Sequence, residues 1–320
     1  MKVLLADSLN KKAVEILKDA GIDVEEKTGL GEEELVGIVG AYDAMIVRSG
    51  VTVTPKILES GAKGKLKLVG RAGVGTDNID KVKACELGIV VENTPLGNTN
   101  AAAEHTLALM IILSKHIVHA SKSLKDGKWD RKSFESIELK GKTLGLIGFG
   151  NVGKKVAKVS KAFEMNVLVY DPFVEEKVFS ELGLKKAEIE QVIKEADFIT
   201  VHVPLTEKTK NMIAEKQFDE MKDGVRILNV ARGGVINEQA LLHAIKSEKV
   251  AAAGLDVYNE EPPQCRELIE NEHVICTPHL GASTKEAQEN VATEIAQQTV
   301  LALKEGKIQY CVNGVDKLKN

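Results

Sequence analysis

The chain has 320 residues, of which 43% are hydrophobic and 28% charged, the proportions of a soluble globular protein with about two domains. Forty-three Lys and Arg stand against 47 Asp and Glu, a formal net charge of −4. With no block of like charge, that balance argues against a nucleic-acid surface.

Apolar runs alternating with amphipathic segments predict strands over 3–6, 22–25, 44–47, 66–70 and 89–92. Helices are predicted over 10–20, 32–39 and 79–87. This βα alternation implies a parallel sheet covered on both faces. The pattern breaks at Asn93-Thr94-Pro95-Leu96-Gly97-Asn98, where a domain crossing is expected. A long helix is predicted from 99 to 127. Strands then centre on Leu144, Val167, Phe198, Arg226, Ala252 and Val274. A second break follows at 278–283. The helix predicted over 285–304 is expected to return to the first domain, and residues 315–320 read as a disordered tail.

The expected class is α/β: two Rossmann-like, doubly wound parallel-sheet domains. The nucleotide-binding one, 98–282, is inserted into a substrate-binding one, 1–97 and 283–320, so ligand is expected between them. The longest apolar stretch, 107–113, is far below a membrane span, and the N-terminal apolar run is too short for a signal peptide. Cys85, Cys265, Cys276 and Cys311 form no C-x-x-C pair and no metal spacing, so they read as free thiols in a reducing cytoplasm.

The second domain is organised around Lys142 to Asp171. The apolar run 143–147 leads into Gly148, Gly150 and Gly153 as G-x-G-x-x-G, then a helical pattern, a second apolar run and Asp171. Gly148 permits the tight turn, Gly150 admits a pyrophosphate to the backbone, and Gly153 lets helix and strand pack closely. A helix N-terminus offers free N–H groups and partial positive charge to phosphates. Asp171 follows Gly153 at the spacing of an acid that takes the adenosine ribose hydroxyls. Pro172, Phe173 and Val174 come next, with no base to meet a 2′-phosphate, so the expected cofactor is NAD.

Three later loops each follow a predicted strand and gather at the carboxyl edge, where ligands of such sheets bind. In 229–234, Arg232 precedes two glycines, and a guanidinium there suits a carboxylate. In 254–263, Asp256, Glu260 and Glu261 precede two prolines. In 276–283, His279 lies between Pro278 and Gly281, and histidine exchanges protons near neutral pH. His116 and His119 have a spacing compatible with metal but no third ligand, so no metal is expected. His105 and His243 read as helix residues, His273 as exposed, and His202 as near the cofactor without a catalytic role.

Taken together, VGRAGVGTDNID at 69–80, DGKWDRKSF at 126–134, GLIGFGNVG at 145–153, NVARGGVINEQAL, GLDVYNEEPP and TPHLGAST resemble the D-isomer-specific 2-hydroxyacid dehydrogenases over nearly the whole chain. The resemblance implies that Arg232 holds the substrate carboxylate and that Glu261 pairs with His279, the acid–base residue. It implies that Asn151 and Val152 cover the pyrophosphate and Asp171 the ribose. Val203, Val230, Ala231, Asp256, Gly281 and Ala282 would complete the cofactor site. It assigns Arg48, Ser49, Arg71, Gly73 and Asn98 to the substrate side, with Arg131 and Trp129 in a segment that reaches a neighbouring subunit of a homodimer or homotetramer. The implied substrate is a small phosphorylated 2-hydroxy acid. Glu rather than Gln before the proline argues against formate dehydrogenase-like chemistry. Long members continue into a C-terminal regulatory domain, whereas this chain stops soon after the 285–304 helix. The alternatives are a glyoxylate or hydroxypyruvate reductase of the same family and a dinucleotide-sensing corepressor.

Overall fold

The computed structural model describes residues 1–318, which cluster into two compact units. Unit 1 comprises Met1–Thr99 with the chain from Ser283 on, and unit 2 comprises Asn100–Ala282.

Unit 1 runs β1 (Lys2–Leu5), α1 (Lys11–Asp19), β2 (Asp23–Glu26), α2 (Glu32–Ile38), β3 (Ala44–Val47), α3 (Pro55–Lys63), β4 (Leu68–Arg71), α4 (Lys81–Leu87) and β5 (Val90–Asn93). Its five strands pair in the order β2-β1-β3-β4-β5, all parallel. β3 is buried at every position, which is why it is an unbroken apolar run rather than an alternating one. α3 escapes the sequence expectation although its start is well signalled. Thr54 accepts from Ile57 N and Pro55 occupies the first turn, where a missing N–H costs nothing.

Unit 2 runs α5 (Thr99–Lys115), α6 (Ile117–Lys125), β6 (Thr143–Ile147), α7 (Asn151–Ala162), β7 (Asn166–Tyr170), α8 (Glu176–Glu181), β8 (Lys185–Lys186), α9 (Ile189–Glu195), β9 (Phe198–Val201), α10 (Glu215–Glu220), β10 (Val225–Asn229), α11 (Glu238–Lys246), β11 (Val250–Leu255), α12 (Arg266–Ile269) and β12 (Val274–Cys276). Seven parallel strands pair as β12-β11-β10-β9-β6-β7-β8. The expected single helix over 99–127 is two helices. His116 between them is left-handed at φ 52°, and the axes bend by 62°. No single helix among the described residues is long and apolar enough to cross a membrane.

The chain then returns as α13 (Lys285–Glu305), which packs on α1 and β4. Val291, Ile295 and Ala296 join the core of unit 1, and burying Val291 and Ile295 contributes roughly 1.5–3 kcal/mol each. A side chain at Gly70 would lie 2.8 Å from Ile295 Cγ1, so that glycine is what lets α13 approach β4. The expected disordered tail is not borne out at Val315 and Leu318, which pack against the same core. Lys319 and Asn320 lie outside the described residues.

Candidate active site

Each sheet reverses its strand order once, and ligands of such folds bind at the carboxyl ends beside that reversal. In unit 2 the reversal lies between β6 and β9. Gly148 follows β6 at φ 98°, and its N–H donates to Tyr170 O at 2.8 Å. A Cβ at Gly148 would sit 2.6 Å from His202 O and 2.8 Å from Val203 Cγ1, and one at Gly153 would sit 2.3 Å from Gly148 O. Those two glycines are required by packing. Gly150 is different: a Cβ there meets nothing within 4 Å.

Gly150 also caps the twelve-residue α7 without a side-chain hydrogen bond. The first-turn N–H groups, at Asn151, Val152 and Gly153, have no acceptor within the helix, so open space and donors coincide as an anion requires. Asp171 Oδ2 accepts from Phe149 N (2.7 Å) and Oδ1 from Phe173 N (2.9 Å). The carboxylate therefore braces the turn, and each oxygen keeps a further lone pair for a ribose hydroxyl. These residues fit a dinucleotide. His202 is half-buried, and desolvation pushes its imidazole down to about 4, so it is neutral at ordinary pH.

The three loops after β10, β11 and β12 assemble at the same edge. Asn229 ends β10; its Oδ1 accepts from Ala231 N (3.0 Å) and its Nδ2 donates to Arg232 O (2.9 Å), which fixes the turn through Val230 and Ala231. Arg232 Nη1 donates to Ala231 O at 2.6 Å. Asp256, fully buried at the end of β11, is the hub. Its Oδ1 accepts from Thr277 Oγ1 (2.6 Å) and Leu280 N (2.7 Å), its Oδ2 from Gly281 N (2.7 Å), and its carbonyl from His279 N (2.9 Å). Burial raises the Asp256 carboxyl, but donors from His105, Thr277, Leu280 and Gly281 outweigh it and hold the group below the usual carboxylate range. A Cβ at Gly281 would lie 2.9 Å from Val230 Cγ1 and 3.1 Å from Asp256 Oδ2, so glycine is needed there; Ala282 follows it.

His279 is held at φ 54°, in the left-handed region that non-glycine residues seldom adopt. Its Nδ1 lies 2.7 Å from Glu261 Oε2, with the side chains 48% and 39% exposed. Glu261 Oε1 accepts from Tyr258 N at 3.3 Å. The Tyr258 hydroxyl donates to Thr277 O at 2.9 Å, and burial pushes it well above its ordinary range, so it stays a donor. An ionised Glu261 accepts only, so Nδ1 carries a proton and Nε2 is the atom left for a substrate. Hydrogen bonds thus join Glu261, His279 and Asp256, and Arg232 stands in the loop after β10. The sequence reads His105 as a helix residue, yet its Nε2 lies 2.9 Å from Thr277 Oγ1. Neither its position in α5 nor its spacing signals that contact, 172 residues away in the chain.

In unit 1 the reversal lies between β1 and β3. Asp7 Oδ2 accepts from Arg48 N (2.6 Å) and Val51 N (3.2 Å), while Asn78 Nδ2 donates to Arg48 O (2.7 Å) and Val51 O (2.6 Å). Arg48 and Ser49 are therefore held by their backbone, and Arg48 Nη1 reaches Ser8 O at 3.4 Å. Arg71 ends β4, with Nη1 donating to Ala72 O (3.1 Å) and lying 1.4 Å from where a Gly73 Cβ would be. Only glycine at 73, with φ 146°, leaves room for that guanidinium. Asn98 Oδ1 and Thr99 Oγ1 are buried without a hydrogen-bond partner among the described residues. Arg131 is exposed in unit 2, and Trp129 is 80% exposed rather than a core residue.

Residues 107–281, more than half of the chain, match the family model described as D-isomer specific 2-hydroxyacid dehydrogenase, NAD binding domain. The chain belongs to this family of D-isomer-specific 2-hydroxyacid dehydrogenases. The matched NAD-binding segment contains the glycine turn, Asp171, Arg232, Glu261 and His279. A D-3-phosphoglycerate dehydrogenase of Archaeoglobus fulgidus is 48% identical to this dehydrogenase-family chain over 314 residues, 98% of the chain. The chain spans 59% of that relative's length. Among solved structures, a glyoxylate reductase from Paecilomyes thermophila matches with TM-score 0.89 at 29% identity, covering 98% of each chain. An NAD⁺-bound 3-phosphoglycerate dehydrogenase from Entamoeba histolytica matches with TM-score 0.82 at 30% identity, again covering 98% of each.

Proposed function

We propose that this chain catalyses NAD-dependent oxidation of D-3-phosphoglycerate to 3-phosphohydroxypyruvate, a step of serine biosynthesis, in the cytoplasm. The observation that carries the reading is the His279–Glu261 pair at 2.7 Å, on the edge that also presents Arg232 and the dinucleotide turn. The identity to a D-3-phosphoglycerate dehydrogenase supports the choice of substrate. In this reading residues 98–282 form the NAD-binding domain, and 1–97 with 283–320 the substrate-binding domain.

Gly148 to Gly153 and Asp171 hold NAD, with Val203, Val230, Ala231, Asp256, Gly281 and Ala282 along its path. When bound, NAD supplies the nicotinamide carbon that accepts a hydride from substrate C2. Arg232 pairs with the substrate carboxylate and orients C2. His279 Nε2 takes the C2 hydroxyl proton, while Glu261 fixes the tautomer through Nδ1 and stabilises the imidazolium that results. Such a positioned base contributes about 10²–10⁴-fold. Oxidation needs the neutral imidazole and reduction the imidazolium, so the two directions have opposite pH dependences. Arg48 and Arg71 supply cations for the phosphate, with Ser49, Gly73, Asn98 and the partner subunit's counterpart of the Arg131 segment around them. α6 has no buried residue, and Ile117, Val118, Leu124 and Trp129 are 48%, 44%, 58% and 80% exposed, which supports a homodimer or homotetramer built on that surface.

A steady-state assay of NAD with D-3-phosphoglycerate, and of NADH with phosphohydroxypyruvate, hydroxypyruvate and glyoxylate, tests the reading. The phosphorylated pair should be preferred. Equal or better use of glyoxylate would instead favour the reductase reading, which the likeness to the Paecilomyes enzyme supports.

A further inference from the structure

We infer that His105 is a positioning residue for the acid–base loop, acting through Thr277 and Asp256; the inference rests on the catalytic reading of His279 above. Thr277 has one hydroxyl hydrogen, and an ionised carboxylate can only accept. The 2.6 Å contact from Thr277 Oγ1 to Asp256 Oδ1 therefore uses that hydrogen. His105 Nε2, 2.9 Å from the same Oγ1, must then be the donor. It also lies 3.3 Å from Asp256 Oδ1, with only 21% of its side chain exposed. The proton order is fixed: His105 Nε2–H to Thr277 O–H to Asp256.

What this chain of donors holds is the loop that carries His279. Asp256 takes both Leu280 N and Gly281 N, and its carbonyl takes His279 N, so the carboxylate is the post around which 277–281 is wrapped. The left-handed backbone of His279 persists only if its surroundings over-determine it. His105 ties that post to α5, whose Ala103, Leu107, Leu109 and Met110 are buried in the core of unit 2. The backbone hydrogen bonds alone would leave the Asp256 side chain without a rigid anchor on a neighbouring helix.

The test compares the parent chain with His105→Leu, His105→Gln and Thr277→Val, reading amide hydrogen exchange without cofactor alongside kcat and KM. His105→Leu removes the donor. It should accelerate exchange at Leu280 and Gly281 and lower kcat roughly two- to tenfold, the loss expected for one hydrogen bond between uncharged groups. The effect should fall on kcat rather than on KM for the hydroxy acid, because a displaced base weakens only the transition state. His105→Gln keeps an N–H at about the Nε2 place and should restore both readouts. Thr277→Val should reproduce His105→Leu, and the double variant should be no worse than either. Parent-like exchange at Leu280 and Gly281 in His105→Leu would overturn the inference whatever the activity. So would uniformly faster exchange through β6 and β10, which would mark a general loss of stability. If the parent oxidises no 2-hydroxy acid but the local exchange effect is present, the positioning role stands and the catalytic reading fails.

Discussion

The two strand-order reversals of this molecule share a topology and have opposite contents. Beside β6 the carboxyl end is lined by glycines, and the space at Gly150 is open above an uncapped helix N-terminus. Beside β1 the equivalent place is filled by the protein's own acid. Asp7 takes Arg48 N and Val51 N, and a Cβ at Gly50 would meet Asp7 Oδ1 at 2.5 Å. Parallel α/β topology therefore provides a place, and the first few residues after each strand decide its use. One reversal leaves open space above a helix N-terminus. The other is plugged by a carboxylate that leaves an arginine held by its main chain at the rim.

This contrast can be broken most severely in unit 2. His279→Ala should lose about 10²–10⁴-fold in kcat. Glu261→Ala should add little to that loss, because the two act as one proton-transfer unit. A double variant whose loss equals the product of the single losses would contradict a dyad. Arg232→Ala should cost roughly 10²–10³-fold in kcat/KM, in line with truncating one partner of a buried charge pair. NADH binding, followed by its fluorescence, should be retained, and weakened NADH binding would move Arg232 from the substrate to the cofactor.

A smaller effect separates the two cofactors. A 2′-phosphate set against Asp171 is a like-charge contact costing several kcal/mol, so kcat/KM with NADP should be at least about a hundredfold below that with NAD. Comparable values would show that Asp171 only braces the turn through Phe149 N and Phe173 N.

The smallest effect sharpens the comparison from the side of unit 1. Asp256 is a buried acid with both oxygens satisfied. Glu92 in β5 is equally buried, but while its Oε1 accepts from Gln309 N at 2.7 Å, its Oε2 has no partner among the described residues. Burial raises the Glu92 carboxyl above the usual range despite backbone donors from Gln309 and Tyr310. A raised acid favours folding in its protonated form, so this stability is complete below the ordinary carboxylate pKa and is lost as pH rises through the raised value. Glu92→Gln should therefore stabilise the protein at neutral pH, with the gain vanishing in acid. Denaturant midpoints at two pH values check it.

Much of this was legible in the sequence because it is local. The turn from β6 through α7 to Asp171 is set by glycine sterics and helix-end chemistry, which need no tertiary information. α3 escaped the sequence reading although Thr54 and Pro55 are a capping pair, because its short apolar face is less conspicuous than the strand runs around it. The break at His116 was not legible, because a left-handed histidine leaves no compositional mark where glycine would. Nor was the tie from His105 to Thr277, which exists only once β12 is laid beside β11 and α5 packs nearby. Side chains that act on other side chains across the sheet edge are where sequence spacing carries least.

The division of labour between the two reversals is the central claim, and selectivity for phosphate tests it most directly. The measurement is the ratio of kcat/KM for phosphohydroxypyruvate to that for hydroxypyruvate, in the parent and in the Arg48→Ala, Arg71→Ala double variant. Two charged hydrogen-bonding contacts at roughly 1.5–3 kcal/mol each correspond to roughly two to four decades of preference. The parent should show a preference of that order. The double variant should lose it while still reducing hydroxypyruvate at a rate near the parent's. An unchanged ratio in the double variant, or no preference in the parent, would contradict the assignment of unit 1 to phosphate recognition.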